Sequence, residues 1–273
     1  MDARQFSLFN NGLGLLCIAV AVVLHCCAAA ATDDEISGPG AAIEDLDRLW
    51  AQRASPEAVE RAVTLGARSL TLHPSSYELA WRVARAYWRK GDLMRDKANR
   101  REAYATARRY AETAVKLDAD RVEGHCYYAL TTGDYGGTLG LVGAATEGIG
   151  STFEREITRA YDINRDFDSG SPMLALGRYY FELPWPMRDL GKSRRYLEEL
   201  KQRHPDVLLG RVYLAETDHA LGDDVAARQE LQYVLSHDPV RERAVEERDI
   251  KTDAEQRMRE WFGTTPAPPL MGR

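Results

Sequence analysis

The stretch PDVLLGRVYLAETDHALGDDVAARQELQYVLSHDP runs from Pro205 to Pro239, two prolines 34 positions apart. Its spacing is that of two helices folded back on each other. Leu214-Ala215 is the small-pair site where the helices approach. Gly222-Asp223 supplies the turn, because glycine accepts left-handed backbone and aspartate caps the helix that follows. Ala227 is the small residue of the second helix, Leu231 and Val234 its large ones, and Pro239 closes the unit. One such pair cannot bury its apolar face alone, so its presence predicts stacked neighbours and a groove between them. It points to a molecule that holds something rather than one that does chemistry.

The 34-residue period and these small and large positions resemble a tetratricopeptide repeat. Other units can be phased from it. Met173-x2-Leu176-Gly177-x2-Tyr180 matches a first helix without its tryptophan. Ser193, Leu197 and Leu200 form its partner, closing at Pro205 after about four extra loop residues. Upstream, Val83-Ala84-x2-Tyr87 with Gly91-Asp92 make another first helix, whose partner carries Ala107, Ala111 and Ala114 after an insertion of roughly eleven residues. A further unit opens at Tyr128-Ala129 and closes through Phe153, Ile157 and Ala160, and a degenerate first unit ends at Pro74. Strand signals are lacking. The predicted fold is all-α: a right-handed stack of degenerate tetratricopeptide-like helix pairs over residues 42–263, with Arg241 to Phe262 as a charged C-terminal capping helix.

The 273 residues carry a net charge of −6, which speaks against nucleic acid as a partner. Arg4 precedes an uncharged run from Leu13 to Leu24, and Ala28 to Ala31 offer a cleavage site, so residues 1–31 read as a signal peptide. An uncleaved anchor and a lipoprotein signal are the alternatives, although Leu16, His25 and Cys26 precede the three leader cysteines where a lipoprotein peptidase prefers a small residue. Cleavage leaves Cys126 as the single cysteine and excludes an internal disulfide. Residues 32–41 read as a linker and residues 264–273, with three prolines, as a disordered tail.

In repeats of this type, three positions of each first helix face the groove. Here they are Trp81, Arg85 and Trp88; Cys126 and Leu130; Leu174, Arg178 and Phe181; and Val212, Glu216 and His219. Aromatic, aliphatic and cationic residues together suit an amphiphilic ligand whose head meets Arg85 or Arg178. The bland alternative makes them ordinary core and rim. Trp81 to Lys116 holds eleven Lys or Arg against four Asp or Glu, a surplus of seven, so the remainder carries −13. Such asymmetry steers an acidic partner, rests on anionic lipid, or is a solvated helix face. The seven glycines from Gly133 to Gly150 form no phosphate loop, since Ile149-Gly150 stands where Lys-Ser/Thr is required. They predict close helix packing or a flexible crossing. Trp185, between Pro184 and Pro186, either caps the core or anchors a partner. The histidines are scattered, and His125 and Cys126 are adjacent on a helix and so face apart. The chain is therefore expected to be non-catalytic, without cofactor or metal.

Gly124-His125-Cys126-Tyr127-Tyr128-Ala129-Leu130, the glycine-rich stretch after it, and Leu176-Gly177-Arg178-Tyr179-Tyr180-Phe181-Glu182-Leu183-Pro184 resemble the T component of tripartite ATP-independent periplasmic (TRAP) transporters. Arg188-Asp189-Leu190 to Leu200 and Tyr213 to Glu216 extend the likeness, which covers about Ser55 to Pro239. The resemblance implies a periplasmic, oligomeric helical protein with a hydrophobic cavity, working beside a substrate-binding protein. The missing lipobox departs from that pattern. Two expectations follow: an accessory that holds a small apolar or lipid-like ligand and docks a periplasmic substrate-binding protein, or a scaffold that grips peptides of other envelope proteins.

Overall fold

The computed structural model describes residues 39–237 and 244–263. The expected signal peptide, nearly all of the linker, Pro239 and the C-terminal tail lie outside the described residues. Twelve helices are described, with no strand among them: α1 (Pro39–Trp50), α2 (Pro56–Leu72), α3 (Tyr77–Leu93), α4 (Lys97–Leu117), α5 (Val122–Leu139), α6 (Leu141–Thr146), α7 (Ile149–Asn164), α8 (Phe167–Glu182), α9 (Leu190–Arg203), α10 (Leu208–Ala220), α11 (Asp224–Ser236) and α12 (Ala244–Phe262). None of them is long and apolar enough to cross a membrane.

Local chemistry fixes where the helices start. Ser55, Ser76, Asp96, Asp189 and Asp223 each accept the backbone N–H three residues on, opening α2, α3, α4, α9 and α11. Each such cap contributes about 1 kcal/mol. Successive helices pack on each other, so they pair as α1/α2, α3/α4, α5/α7, α8/α9 and α10/α11, with α12 laid on the last pair. The first helices α1, α3, α5, α8, α10 and α12 also touch one another in series. They form one continuous face, called the inner face below.

The core lies inside and between the pairs. Ala227, Leu231 and Val234 are fully buried, as are Ala107, Ala111 and Ala114 of α4. Burying each Leu or Val contributes about 1.5–3 kcal/mol. The turn expected at Gly222-Asp223 is present, with Gly222 at φ +83°. Small residues set the closest approaches: a Cβ on Gly91 would lie 2.3 Å from the Tyr104 ring, and one on Gly177 would lie 2.5 Å from Leu197.

Four expectations need adjusting or completing. Helix α1 begins at Pro39, inside the stretch expected to be linker. The roughly eleven inserted residues after Asp92, left without a conformation by the repeat pattern, resolve into a connection at Met94 to Asp96 and added helix in the 21-residue α4. The glycine-rich stretch is close packing for half its length, with Gly133 against Phe153 and Gly136 against Ile149, and α6 spans the crossing. Trp185 is 90% exposed, so it caps no core. Helix α8 also has a break near its start. Asp168, Ser169 and Gly170 adopt left-handed φ/ψ in succession, and regular helix resumes at Ser171 with Pro172 in its first turn, where proline is tolerated.

Candidate functional site

The inner face is built in two halves. In the first, Trp81 stacks on Tyr127 of α5 with centroids 5.8 Å apart, Trp88 leans on the same ring at 6.1 Å, and Phe167 of α8 meets its edge at 6.3 Å. Such pairs contribute about 0.5–1.5 kcal/mol beyond area burial. The Arg85 guanidinium sits 4.5 Å from the Trp50 centroid and 4.8 Å from that of Trp81, and it donates to Asp47 Oδ1 at 2.7 Å. Arg82 also donates to Asp47. Burial pushes the Asp47 carboxyl up, but the two arginines outweigh it and hold it below the usual range. Trp88 Nε1 donates to Asp134 Oδ2 at 2.6 Å. The Asp134 side chain reaches solvent, yet crowding and the Asp92 carboxylate push it up to about 6 against the Trp88 bond.

In the second half, Arg178 donates to Glu216 of α10 and pairs with Glu182 on its own helix. Its guanidinium lies 4.5 Å from the Tyr213 centroid and 5.2 Å from that of Phe181. Glu216, 9% exposed, also accepts from Arg257 of α12. His219 stacks on Trp261 of α12 at 4.2 Å, with its Nδ1 2.6 Å from Asp224 Oδ1. The cap is therefore fastened to the inner face by a salt bridge and an aromatic stack.

The positions expected to line a groove thus divide. Trp81, Arg85 and Trp88 come together around Tyr127, and Arg178 joins Glu216. Leu130, Leu174, Phe181 and His219 are half-buried on the same series of helices. Cys126 and Val212 have no exposed surface and lie in the packing, because the first helices rotate these positions toward their own partners. Neither arginine expected to meet a ligand head is free: each already has a carboxylate. Asp47, Tyr127, Arg257 and Trp261 were not anticipated. Asp47 lies in the unit whose repeat pattern is degenerate, and the other two cap residues lie in a helix with no repeat pattern.

Two cavities adjoin α1. One, beside Arg85, Leu49 and Val59, measures about 10 Å³, too small for a ligand. The other is an open cleft of about 510 Å³ between α1 and α2, lined by Asp45, Arg48, Gln52, Glu60, Arg61 and Arg68 among others. Neither is lined by Trp81, Trp88, Leu130, Leu174 or Phe181. Among the described residues no group of three or more His, Cys, Asp and Glu is placed to hold a metal.

Residues 42–192 match the family described as "Regulator of microtubule dynamics protein 1-3". The chain belongs to this family. It is 23% identical over 252 residues to Regulator of microtubule dynamics protein 3 of Rattus norvegicus, a match covering 81% of this chain and 51% of that protein. The chain therefore spans about half the length of this curated relative. Among solved structures it superposes on a thermophilic TPR protein of Thermus thermophilus with a TM-score of 0.59 and 16% identity, over 79% of this chain and 97% of that one. That likeness shows the fold, a tetratricopeptide-like helical stack.

The family match overturns the resemblance to the TRAP transporter T component, and with it the placement in the periplasm or outside the cell read from residues 1–31. The residues that suggested it have packing reasons. Leu176 is fully buried, Gly177 admits Leu197, Arg178 pairs with Glu216, and Tyr180 donates to Glu154 at 2.7 Å while stacking on Tyr196. Such a run is what two closely packed helix pairs of any function call for.

Proposed function

We propose that this chain is a non-catalytic adaptor of the regulator of microtubule dynamics family, which grips a segment of a partner protein along its inner face and acts in the control of microtubule assembly. The observation that carries the reading is the series of half-buried Trp88, Leu130, Leu174 and Phe181 on consecutive first helices, bordered by the Asp47–Arg85 and Arg178–Glu216 pairs. An apolar row with a polar border is the make-up of a protein-binding patch. A tetratricopeptide-like stack supports protein partners, and the name of the rat relative supplies the microtubule context.

The test uses the full chain with stabilised microtubules in co-sedimentation, and with free tubulin in a turbidity assay of assembly. The adaptor should pellet with microtubules or alter the assembly rate, and Trp88→Ala combined with Phe181→Ala should weaken that effect about tenfold or more, as loss of interface anchors does. No effect of the wild-type chain in either assay removes the microtubule context. An unchanged effect in the double variant, with far-UV circular dichroism intact, removes the inner face.

A further inference from the structure

The cationic surplus between Trp81 and Lys116 is not spread evenly once the chain is folded. On α3, Arg82 and Arg85 are neutralised by Asp47 and Glu78, Lys90 by Glu60, and Arg89 lies 3.6 Å from Asp92. On α4 only Lys116 has a carboxylate partner, Glu112. Among the described residues, Lys97, Arg101, Arg108 and Arg109 have no carboxylate within 4.0 Å.

Three of these cations form a line. Lys97, Arg101 and Arg108 fall on one stripe of α4, spaced four and seven residues apart, and the stripe borders α5. Arg101 donates to the Thr138 carbonyl at 2.8 Å and Arg108 to Thr132 Oγ1 at 3.2 Å, so α5 holds the guanidinium groups in place without neutralising them. The opposite wall carries Tyr128 and Tyr135, whose centroids lie 5.9 and 5.7 Å from the Arg108 guanidinium. One carboxylate of the chain already visits this wall: Glu147 accepts from Tyr135 Oη at 3.3 Å.

We propose that the seam between α4 and α5 is a docking track for an extended acidic segment of a partner polypeptide. From Lys97 to Arg108 the helix rises about 16 Å, the length of about five residues of extended chain. Alternate carboxylates of such a segment meet the cations while the tyrosine hydroxyls offer donors. The cations are pre-positioned, so little side-chain order is lost on binding. The track suits a polypeptide rather than a bilayer. No exposed large apolar side chain lies between Lys97 and Arg108 or between Tyr128 and Tyr135, so nothing on it would insert into lipid. The proposal stands on this charge arrangement and does not depend on the inner-face reading.

The test is fluorescence anisotropy of labelled decaglutamate with the full chain at about 50 mM salt, where exposed charges are weakly screened, with decalysine as the control. Decaglutamate should bind, decalysine should not, and the affinity should fall as salt is raised. Arg101→Glu with Arg108→Glu should weaken binding at least about tenfold. Because that pair contacts α5, Lys97→Glu alone provides a second reversal at an exposed side chain of the track and should weaken binding about threefold or more. Trp88→Ala with Phe181→Ala should leave the affinity unchanged. Absence of decaglutamate binding, unchanged affinity in the Lys97 reversal with intact circular dichroism, or loss of binding in the Trp88/Phe181 variant would each overturn the proposal. So would reversals that abolish binding to phosphatidylserine vesicles but not to the peptide, which would make the seam a lipid surface.

Discussion

Replacing Asp218 with asparagine should stabilise the protein, most strongly at neutral pH and above. Asp218 lies on α10 facing α9 and is 1% exposed. Its Oδ1 lies 3.0 Å from Arg194 Nε but is not aligned for a hydrogen bond, leaving that oxygen without a hydrogen-bond partner. Burial pushes its carboxyl up to about 6; Arg194 opposes, and the Glu198, Asp223 and Glu230 carboxylates add to the rise. In the unfolded chain the same group titrates at 3.8. A carboxyl whose folded value is raised costs stability as pH climbs. Below 3.8 both states hold the proton and nothing is lost, whereas above about 6 the folded state carries a charge it accommodates poorly. A rise of about two units sets a ceiling of about 3 kcal/mol. Asparagine removes the charge but gives up the attraction to Arg194, so the expected net gain is about 1–2 kcal/mol at pH 7.5. For a domain of this size that is about 2–4 °C in Tm for each kcal/mol. Urea unfolding at pH 7.5 and at pH 5 measures it directly, because the gain should shrink to about half at the lower pH. Equal stability at pH 7.5, or a gain of the same size at both pH values, would refute the argument that the buried charge is the cause.

Other perturbations test other parts of the structure. Gly91→Ala should destabilise by about 1–3 kcal/mol in urea unfolding, since the new methyl meets the ring of Tyr104, which is 1% exposed. Gly137→Ala, in open space on a helix, should instead gain about 0.5–1 kcal/mol. Glu216→Gln should loosen the cap, because the near-buried carboxylate links Arg178 to Arg257; a loss of about 2–4 kcal/mol and faster amide exchange confined to α12 are expected. His125 should make stability fall as pH rises. Its Nδ1 lies 2.6 Å from Glu156 and its Nε2 2.9 Å from the Ala119 carbonyl, so both nitrogens donate and the ring is held as a cation. Burial opposes that charge, Arg159 opposes it too, and the two acceptors prevail, raising the value above 6.5. The stabilisation is complete below 6.5 and is lost as pH passes the raised folded value, so wild type should weaken between pH 6 and pH 9 while His125→Gln should not.

The repeat was legible because its signals are local. Gly222, Ala227, Leu231 and Val234 lie within thirteen residues, a turn followed by one helical period, and the structure gives each the expected role. The conformation of the insertion before Ala107 was not legible from the repeat, because a repeat template gives extra residues a number but no shape. At the candidate site, the first-helix positions led to Trp81, Arg85, Trp88, Arg178 and Glu216, but their partners lie 38 to 46 residues away. Asp47 and Tyr127, and the pairing of Arg178 with Glu216, depend on how one pair is rotated on the next, which no local period encodes. The family likeness read from Leu176 to Pro184 failed for a related reason: those residues answer to helix packing, which unrelated functions share.

The reversed-hand run at Asp168, Ser169 and Gly170 bears on how the stack would carry a pulling force. Left-handed backbone costs a non-glycine residue about 1–2 kcal/mol, and the bond that enters the run from α7's side, Gly170 N to Asp166 O, is long at 3.4 Å. On either side it is clamped to α9, through Asp166 to Arg203 and His204 and through Gly170 against Leu200. Tension applied between the ends of the chain would meet regular helix in α7 and α9, but at this joint three residues of reversed hand between fixed points. The joint is a built-in compliance: its reversed backbone can lengthen locally, whereas parting α7 from α8 would also have to open the core that Ile157 and Ala160 share with Leu176 and Tyr180.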